Sequence, residues 1–412
     1  MRIIRKRCLG LDLHKKQITA HLRVHRGSGQ EPEGVDKRFG TMPGELLELR
    51  AWVIEHQVTD VVMESTSVYW MHVYELLEAV TKPAVVNASH VKKVPGRKTD
   101  VSDAQWLAEL HAHGLLRLSY VPPREIREMR AVARYRTKLV AERTSARNRT
   151  IKLVEMAGIK LSSVVCDSFG KTGRAVLDDL AKGPVNAASV TAAAKGSLRA
   201  KVDAIEAALQ APLTDLQREL LKMHLRAYDA ADARVAEAER KLMELSKPYQ
   251  SYIDKLDAVP GINPLAAVTL IAETGVEMSV YRDAHHLSSL AGLAPGNAIS
   301  DGKRRRIGAR KGNRQLKRIC VQIAWAASRK RDSFFRARFS RLAFRIGRNK
   351  AIVATARHVL VVVYHLLAGE QTYRDLGASY YQRKNKEQLV RRAVRNLERL
   401  GFTVGLTPTP SA

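Results

Sequence analysis

Cysteine is scarce in this chain. Cys8, Cys166 and Cys320 lie far apart and form no CxxC pair, so neither a disulfide framework nor a zinc knuckle is expected. Acids are also few: 41 Asp+Glu stand against 70 Lys+Arg, for a formal charge of +29. Such an imbalance is costly in self-repulsion unless a polyanion is near, which points to nucleic acid ahead of an anionic membrane surface. Long apolar runs are missing too. Those near 259–272 and 358–368 contain Pro or His and fall short of a membrane span. The opening MRIIRKRCLGLDL has basic residues but neither the apolar stretch nor the small-residue cleavage site of a secretory leader. These absences predict a soluble cytoplasmic, nucleoid-associated protein of a reducing compartment, with no membrane partner.

Two tempting signals fail. Ser168-Phe169-Gly170-Lys171-Thr172 looks like the end of a Walker A loop, but Val165 stands where its first glycine must be. The pairs His111/His113 and His285/His286 lack zinc-ligand spacing and partner cysteines.

The 412 residues suit two to three domains, and 45% hydrophobic with 27% charged residues is a globular balance. Residues 8–25 alternate apolar and polar side chains, reading as two strands around a turn at Lys15-Lys16. Helical spacing over 44–57 and 68–80, strands at 59–64 and 83–87, and a helix from Asp100 to Gly114 follow. Strands alternating with helices predict an α/β domain over 1–123 with parallel elements. Long helices then take over. Residues 124–250 read as a basic helix and a coiled-coil or helical-hairpin segment, with apolar Leu216, Leu220, Met223, Ala227, Val235, Ala238, Leu242 and Leu245. It serves equally as a spacer packed on itself or as a dimerisation arm. Residues 251–370 read as a mostly α-helical domain with a Gly/Arg-rich loop, and 371–412 as a basic extension.

Three constellations carry chemistry. Asp12 sits inside an apolar strand and Glu64 ends another, where an unpaired carboxylate is costly. Asp100 and Asp103 are three apart on the predicted helix, on the side bearing Ala104, Leu107 and Leu110, so they are expected to face the body of the domain. Converging carboxylates repel unless a hard cation lies between them, and Mg²⁺ fits such a set and can bridge a phosphate. A cap at Asp100 and an arginine partner for Glu64 are the plainer alternatives. Second, Val259-Pro260-Gly261-Ile262 before an apolar helix reads as a helix-hairpin-helix-like element or a plain helical turn. Third, Ser300 lies in a Gly/Asn/Asp-rich loop, followed by Lys303, Arg304, Arg305, Arg306, Arg310, Lys311 and Arg314 without an acid between them. Guanidinium groups clamp phosphate and help a weakly nucleophilic hydroxyl attack it. Arg127, Arg130, Arg134 and Lys138 form a further basic stripe for nucleic acid at spacings of three and four.

The motifs GLDLHK, VVMESTSVYW, RKTDVSDA, AVPGINPLAA and GLAPGNAISDGKRRRIGARKGN, in this order, resemble the transposases of insertion-sequence family 110, the DEDD/serine recombinases. The resemblance covers nearly the whole chain. It implies an N-terminal RuvC-like, RNase H-type domain in which Asp12, Glu64, Asp100 and Asp103 bind Mg²⁺. It implies that Ser300 attacks the DNA backbone and holds it covalently, and that an element-encoded guide (bridge) RNA pairs with donor and target DNA. It also implies a homo-oligomer, dimer or tetramer, with composite sites. Asp301 departs from the family by placing a charge beside Ser300. A hydrolytic junction-resolving nuclease and a catalytically idle nucleic-acid-binding protein are the competing readings.

Overall fold

The computed structural model describes residues 3–26, 31–91, 102–295, 298–300, 303–305, 312–369, 371–381 and 386–406. The chain divides into two units, Met1–Pro122 and Pro123–Ala412.

The first unit is built on one mixed sheet. Its elements are β1 (Arg7–Leu13), β2 (Ile18–Val24), β3 (Glu33–Phe39), α1 (Pro43–Glu55), β4 (Asp60–Glu64) and α2 (Tyr69–Glu78). Then come β5 (Lys82–Val86), α3 (Ala88–Val91), α4 (Asp103–Ala112) and the short β6 (Leu118–Ser119). The spatial order is β3-β2-β1-β4-β5-β6. β1, β4 and β5 run parallel, while β2, β3 and β6 are antiparallel to their neighbours. Period-two alternation divides the side chains between two faces. Leu9, Leu11, Leu13, Val61 and Met63 pack with Leu46, Leu49 and Trp52 of α1 and Val73 and Leu77 of α2. Val62 and Val86 pack instead with Trp106, Leu107 and Leu110 of α4. The sheet is therefore sandwiched, and the candidate site grows from its α4 face. β3 escaped the sequence reading because six of its seven residues are exposed and give no apolar alternation.

Among the described residues, the second unit is helical apart from one small hairpin. α5 (Arg124–Met156) and α10 (Asp215–Leu245) lie side by side, their contact marked by Leu139, Val235 and Ala238. Arg136–Glu239 and Arg143–Asp232 ion pairs lace the same seam. At one end, α6 (Leu161–Val164), α7 (Lys171–Lys182), α8 (Ala187–Ala193) and α9 (Val202–Ala208) close a small core around Val154, Leu221 and Leu225. At the other lies the main core, formed with α11 (Gln250–Asp257), α12 (Pro264–Thr274), α13 (Ala284–Leu290), α14 (Arg314–Ala327), α15 (Phe334–Ile346) and α16 (Arg348–Ala368). The last helix among the described residues is Lys386–Arg399.

Two expectations change. The buried line of α10 is Leu221, Leu225, Ala231, Val235, Ala238 and Leu242, while Leu216 and Met223 are 66% and 62% exposed. The heptad-like spacing was real, but spacing alone does not say which stripe meets the partner helix. Second, α16 is long and apolar enough to cross a membrane by length and composition. Its Ile352, Val359, Leu360 and Val363 are spent on the main core, as in the central helix of a globular domain.

Candidate functional site

In the α/β unit, sheet register sets the carboxylates. Leu11 of β1 pairs with Met63 of β4 in parallel register, so Asp12 and Glu64 come next, side by side at the carboxyl ends of neighbouring strands. Both share the face of Gly10 and Val62, the face that α4 covers. Open parallel sheets gather functional groups at such strand ends. Gly10 shows how closely α4 approaches: a Cβ there would lie 2.0 Å from the Ala104 carbonyl oxygen and 2.8 Å from the Ala108 nitrogen. Only a missing side chain permits that contact, and it brings the first turn of α4 two residues from Asp12. The GLDLHK motif thus has a physical reading, with a contact glycine, an acid on the same face, and His14, whose Nε2 lies 3.0 Å from the Asp12 carboxylate.

α4 differs from expectation. It starts at Asp103, with Ser102 as its cap accepting from the Gln105 N–H at 3.2 Å. Asp103 occupies the first turn and is exposed rather than facing the body of the domain, while Ala104 is buried against Gly10. A carboxylate in the first helical turn is favoured by the helix dipole. Asp100 lies outside the described residues. Among those described, no cluster of three or more Asp, Glu, His or Cys is arranged to hold a metal ion. Asp12, Glu64 and Asp103 offer carboxylate oxygens alone, a donor set suited to a hard cation such as Mg²⁺ and not to zinc.

In the helical unit, Ser300 ends the strand β7 (Ala298–Ser300), which pairs antiparallel with β8 (Lys303–Arg305). Ser300 stands opposite Lys303. The serine is therefore on a hairpin, where the sequence suggested a loop. Lys303, Arg304 and Arg305 form the facing strand, Arg306, Arg310 and Lys311 lie outside the described residues, and Arg314 opens α14.

The hairpin's base is clamped. The Asn313 N–H donates to the Leu290 carbonyl at 2.7 Å. A Cβ on Gly312 would lie 2.4 Å from the Gly292 nitrogen, so the two legs touch backbone to backbone. Asn313 also caps α14, accepting from the N–H groups of Gln315 and Leu316, and donates through Nδ2 to Glu273 at 2.6 Å.

Glu273, in the last turn of α12, is 2% exposed. Arg134 donates to both its oxygens, each at 2.8 Å. Arg130 donates to the backbone carbonyls of Ala272 and Glu273. Burial pushes the Glu273 carboxyl up, but the Arg134 and Asn313 hydrogen bonds and the nearby guanidinium charges outweigh it and hold it below the usual carboxylate range. The same pairing raises Arg134. Sequence reasoning missed Glu273; the signal was an acid closing the apolar helix PLAAVTLIAET.

Two guanidinium groups of the predicted stripe are thus engaged on α12. Arg127 also has an interaction partner, and Lys138 is exposed with no ion pair among the described residues. The Pro260-Gly261 turn packs inward: Gly261 has φ +86°, and a Cβ there would meet the Ala327 nitrogen at 2.6 Å. Asn263 caps the following α12 through the Ala266 N–H at 2.8 Å.

Comparison with known proteins gives these features a context. A DEDD transposase model of insertion-sequence family 110 matches residues 9–158, and one described as "Transposase IS116/IS110/IS902 family" matches residues 253–340. Over 299 residues the chain is 23% identical to the transposase for insertion sequence element IS1111A of Coxiella burnetii, covering 70% of this chain and 72% of that one. It is 28% identical over 315 residues to a probable family 20 transposase of Pseudomonas aeruginosa, covering 74% and 82%. The protein is a transposase, and so a DNA-modifying enzyme. Within that class it belongs to the IS110 family.

Proposed function

We propose that this transposase cuts and rejoins insertion-element and target DNA through a covalent phosphoserine at Ser300, assisted by a carboxylate site in a RuvC-like domain. The observation that carries the reading is the side-by-side placement of Asp12 and Glu64 at the ends of parallel strands, beneath the first turn of α4. The sheet order, with β1 central and parallel to β4, supports the RuvC-like assignment.

Asp12, Glu64, Asp103 and, by motif, Asp100 would hold Mg²⁺, which when bound supplies positive charge to a scissile phosphate. His14 orients the Asp12 carboxylate. In the chemical step the Ser300 hydroxyl loses its proton and its Oγ bonds to phosphorus. The bond to the 3′ oxygen breaks, and that oxygen leaves as a 3′-hydroxyl after taking up a proton. Rejoining runs in reverse: a 3′-hydroxyl attacks the phosphoserine and Oγ leaves with a proton restored. No energy-rich cofactor is required, because one phosphodiester is exchanged for another. Lys303, Arg304 and Arg305, on the facing strand, supply phosphate-binding charge.

Self-association is supported by Leu216 and Met223, which leave an apolar stripe of α10 uncovered. Guidance by an element-encoded RNA rests on the family resemblance, and the +29 charge suits a chain that neutralises RNA as well as DNA phosphates.

The test is cleavage of element ends by Asp12→Asn and Glu64→Gln variants. Both are expected to lose Mg²⁺-dependent cutting by a hundredfold or more, on the order of a lost transition-state charge contact, while retaining DNA binding. Full activity in either variant removes the carboxylate site from the reaction.

A further inference from the structure

α15 and the start of α16 form a basic surface that neither the motifs nor the proposed site residues include. From Arg329 to Lys350 the sequence holds nine Lys or Arg and one acid, Asp332. Arg336, Arg345, Arg348 and Lys350 are exposed, with no carboxylate partner among the described residues. In their midst Phe344 is 97% exposed, the most exposed large apolar side chain among the described residues. The rest of the helix is well anchored. Phe334 and Phe335 are buried in the main core. Arg338 donates to the Tyr381 hydroxyl at 3.1 Å, and Arg341 stacks over the same ring at 4.6 Å. Phe344 is therefore held out on a fixed helix, one turn beyond an arginine pair locked by Tyr381. The dipole of α16 adds positive charge at its start, where the Gly347 cap brings no side-chain acceptor.

We infer that this corner binds an unpaired stretch of DNA, with Phe344 stacking on a base and Arg345, Arg348 and Lys350 holding the flanking phosphates. The chemistry selects this partner. Cations alone would serve any duplex, but a fully exposed aromatic ring among them gains only from an accessible base face. Bases within a duplex already stack on each other, so the ring favours opened or kinked DNA, which cutting and strand exchange both produce. An anionic membrane would need an apolar helix face, and here that face is turned into the core. The inference rests on the chain acting on DNA and is independent of the serine mechanism.

Fluorescence anisotropy with full-length protein carrying Ser300→Ala tests it, using a single-stranded oligodeoxynucleotide, its duplex, and the RNA of the same sequence. Phe344→Ala is expected to weaken the single strand about tenfold and leave the duplex within about twofold. Arg345→Gln with Arg348→Gln should weaken both DNA forms and reduce the single-strand salt slope by about 1.4, at about 0.7 per phosphate contact. Unchanged single-strand affinity in Phe344→Ala overturns the inference. So does a loss confined to RNA, or a change seen only in oligomeric mass or in binding to anionic vesicles. Failure of the parent protein to bind any DNA would instead overturn the proposed cut-and-rejoin function, which keeps the two failures apart. Circular dichroism verifies that the exposed substitutions leave the fold intact.

Discussion

The two units hold their candidate groups by different physical means. In the α/β unit, Asp12 and Glu64 are placed by backbone register, and α4 is pressed onto Gly10 with no space to spare. In the helical unit, Ser300 stands on a hairpin whose flanking segments are clamped together: Gly312 on Gly292, and Asn313 on Leu290 and Glu273. The first arrangement makes site and fold inseparable. The second ties the legs of the hairpin to the helical core through a few local contacts. The contrast extends to charge. Arginines of α5 end on Glu273, Glu239, Asp232 and Asp167, whereas several on α15 and α16 face solvent.

Substitutions can break this comparison. The largest effect is expected from Gly10→Val, which drives a side chain into the Ala104 carbonyl. It should destabilise the α/β unit by about 3 kcal/mol or more, read as loss of its melting transition while the helical unit still unfolds cooperatively. A normal transition would show that α4 does not rest on β1 as described.

Glu273→Gln comes next. A buried ion pair that loses one partner costs about 3–5 kcal/mol, and the 45% exposure of the Arg134 side chain reduces this to about 2 kcal/mol. Denaturant unfolding would measure it. The pH dependence has a definite sign. Because the folded state holds Glu273 below its ordinary value of 4.5, its contribution is present above that value and is lost as pH falls through the folded pKa. Wild type should therefore lose stability below pH 4.5 more steeply than Glu273→Gln. Parallel profiles would place the acid sensitivity elsewhere.

Gly312→Ala should cost about 1–2 kcal/mol by opening the clamp. Activity should fall further than stability, since Gly312 lies on the leg that follows the Ser300 hairpin; equal losses in both would remove the positioning role. The smallest effect belongs to Arg143→Ala on the α5–α10 seam, where a partly exposed ion pair is worth under about 1 kcal/mol. A larger loss would mean that charge, not apolar packing, holds the seam. Thiol labelling probes both cores at once. Burial first, with Asp60 assisting, pushes Cys8 up to about 12, and burial alone does the same to Cys320. Exposed Cys166 should be the single fast-reacting thiol in the folded chain; a second one would reveal an open core.

The α/β layering and the pairing of Asp12 with Glu64 were legible, because strand periodicity and the oddity of an acid in an apolar strand both survive in sequence. β3 was not, since an exposed edge strand such as Glu33–Phe39 carries no buried alternation. The start of α4 at Asp103 was missed because Asp100 and Ser102 are equally good caps on paper; Ser102 is the residue that accepts from the Gln105 N–H. Arg130 and Arg134 looked like phosphate ligands because nothing local shows that Glu273, more than a hundred residues on, meets them. Phe344 shows the converse: its exposure depends on where the core lies, which spacing in α15 does not reveal.

In the proposed reaction Ser300 becomes covalently joined to DNA with the help of the carboxylates of the α/β unit. Incubating full-length protein with Mg²⁺ and end-labelled element DNA, then denaturing and separating by size, measures it directly. The expected result is a labelled protein–DNA adduct that maps to Ser300, disappears in Ser300→Ala, and is strongly reduced in Asp12→Asn. Cleaved DNA with no adduct, or an adduct that persists in Ser300→Ala, would contradict it.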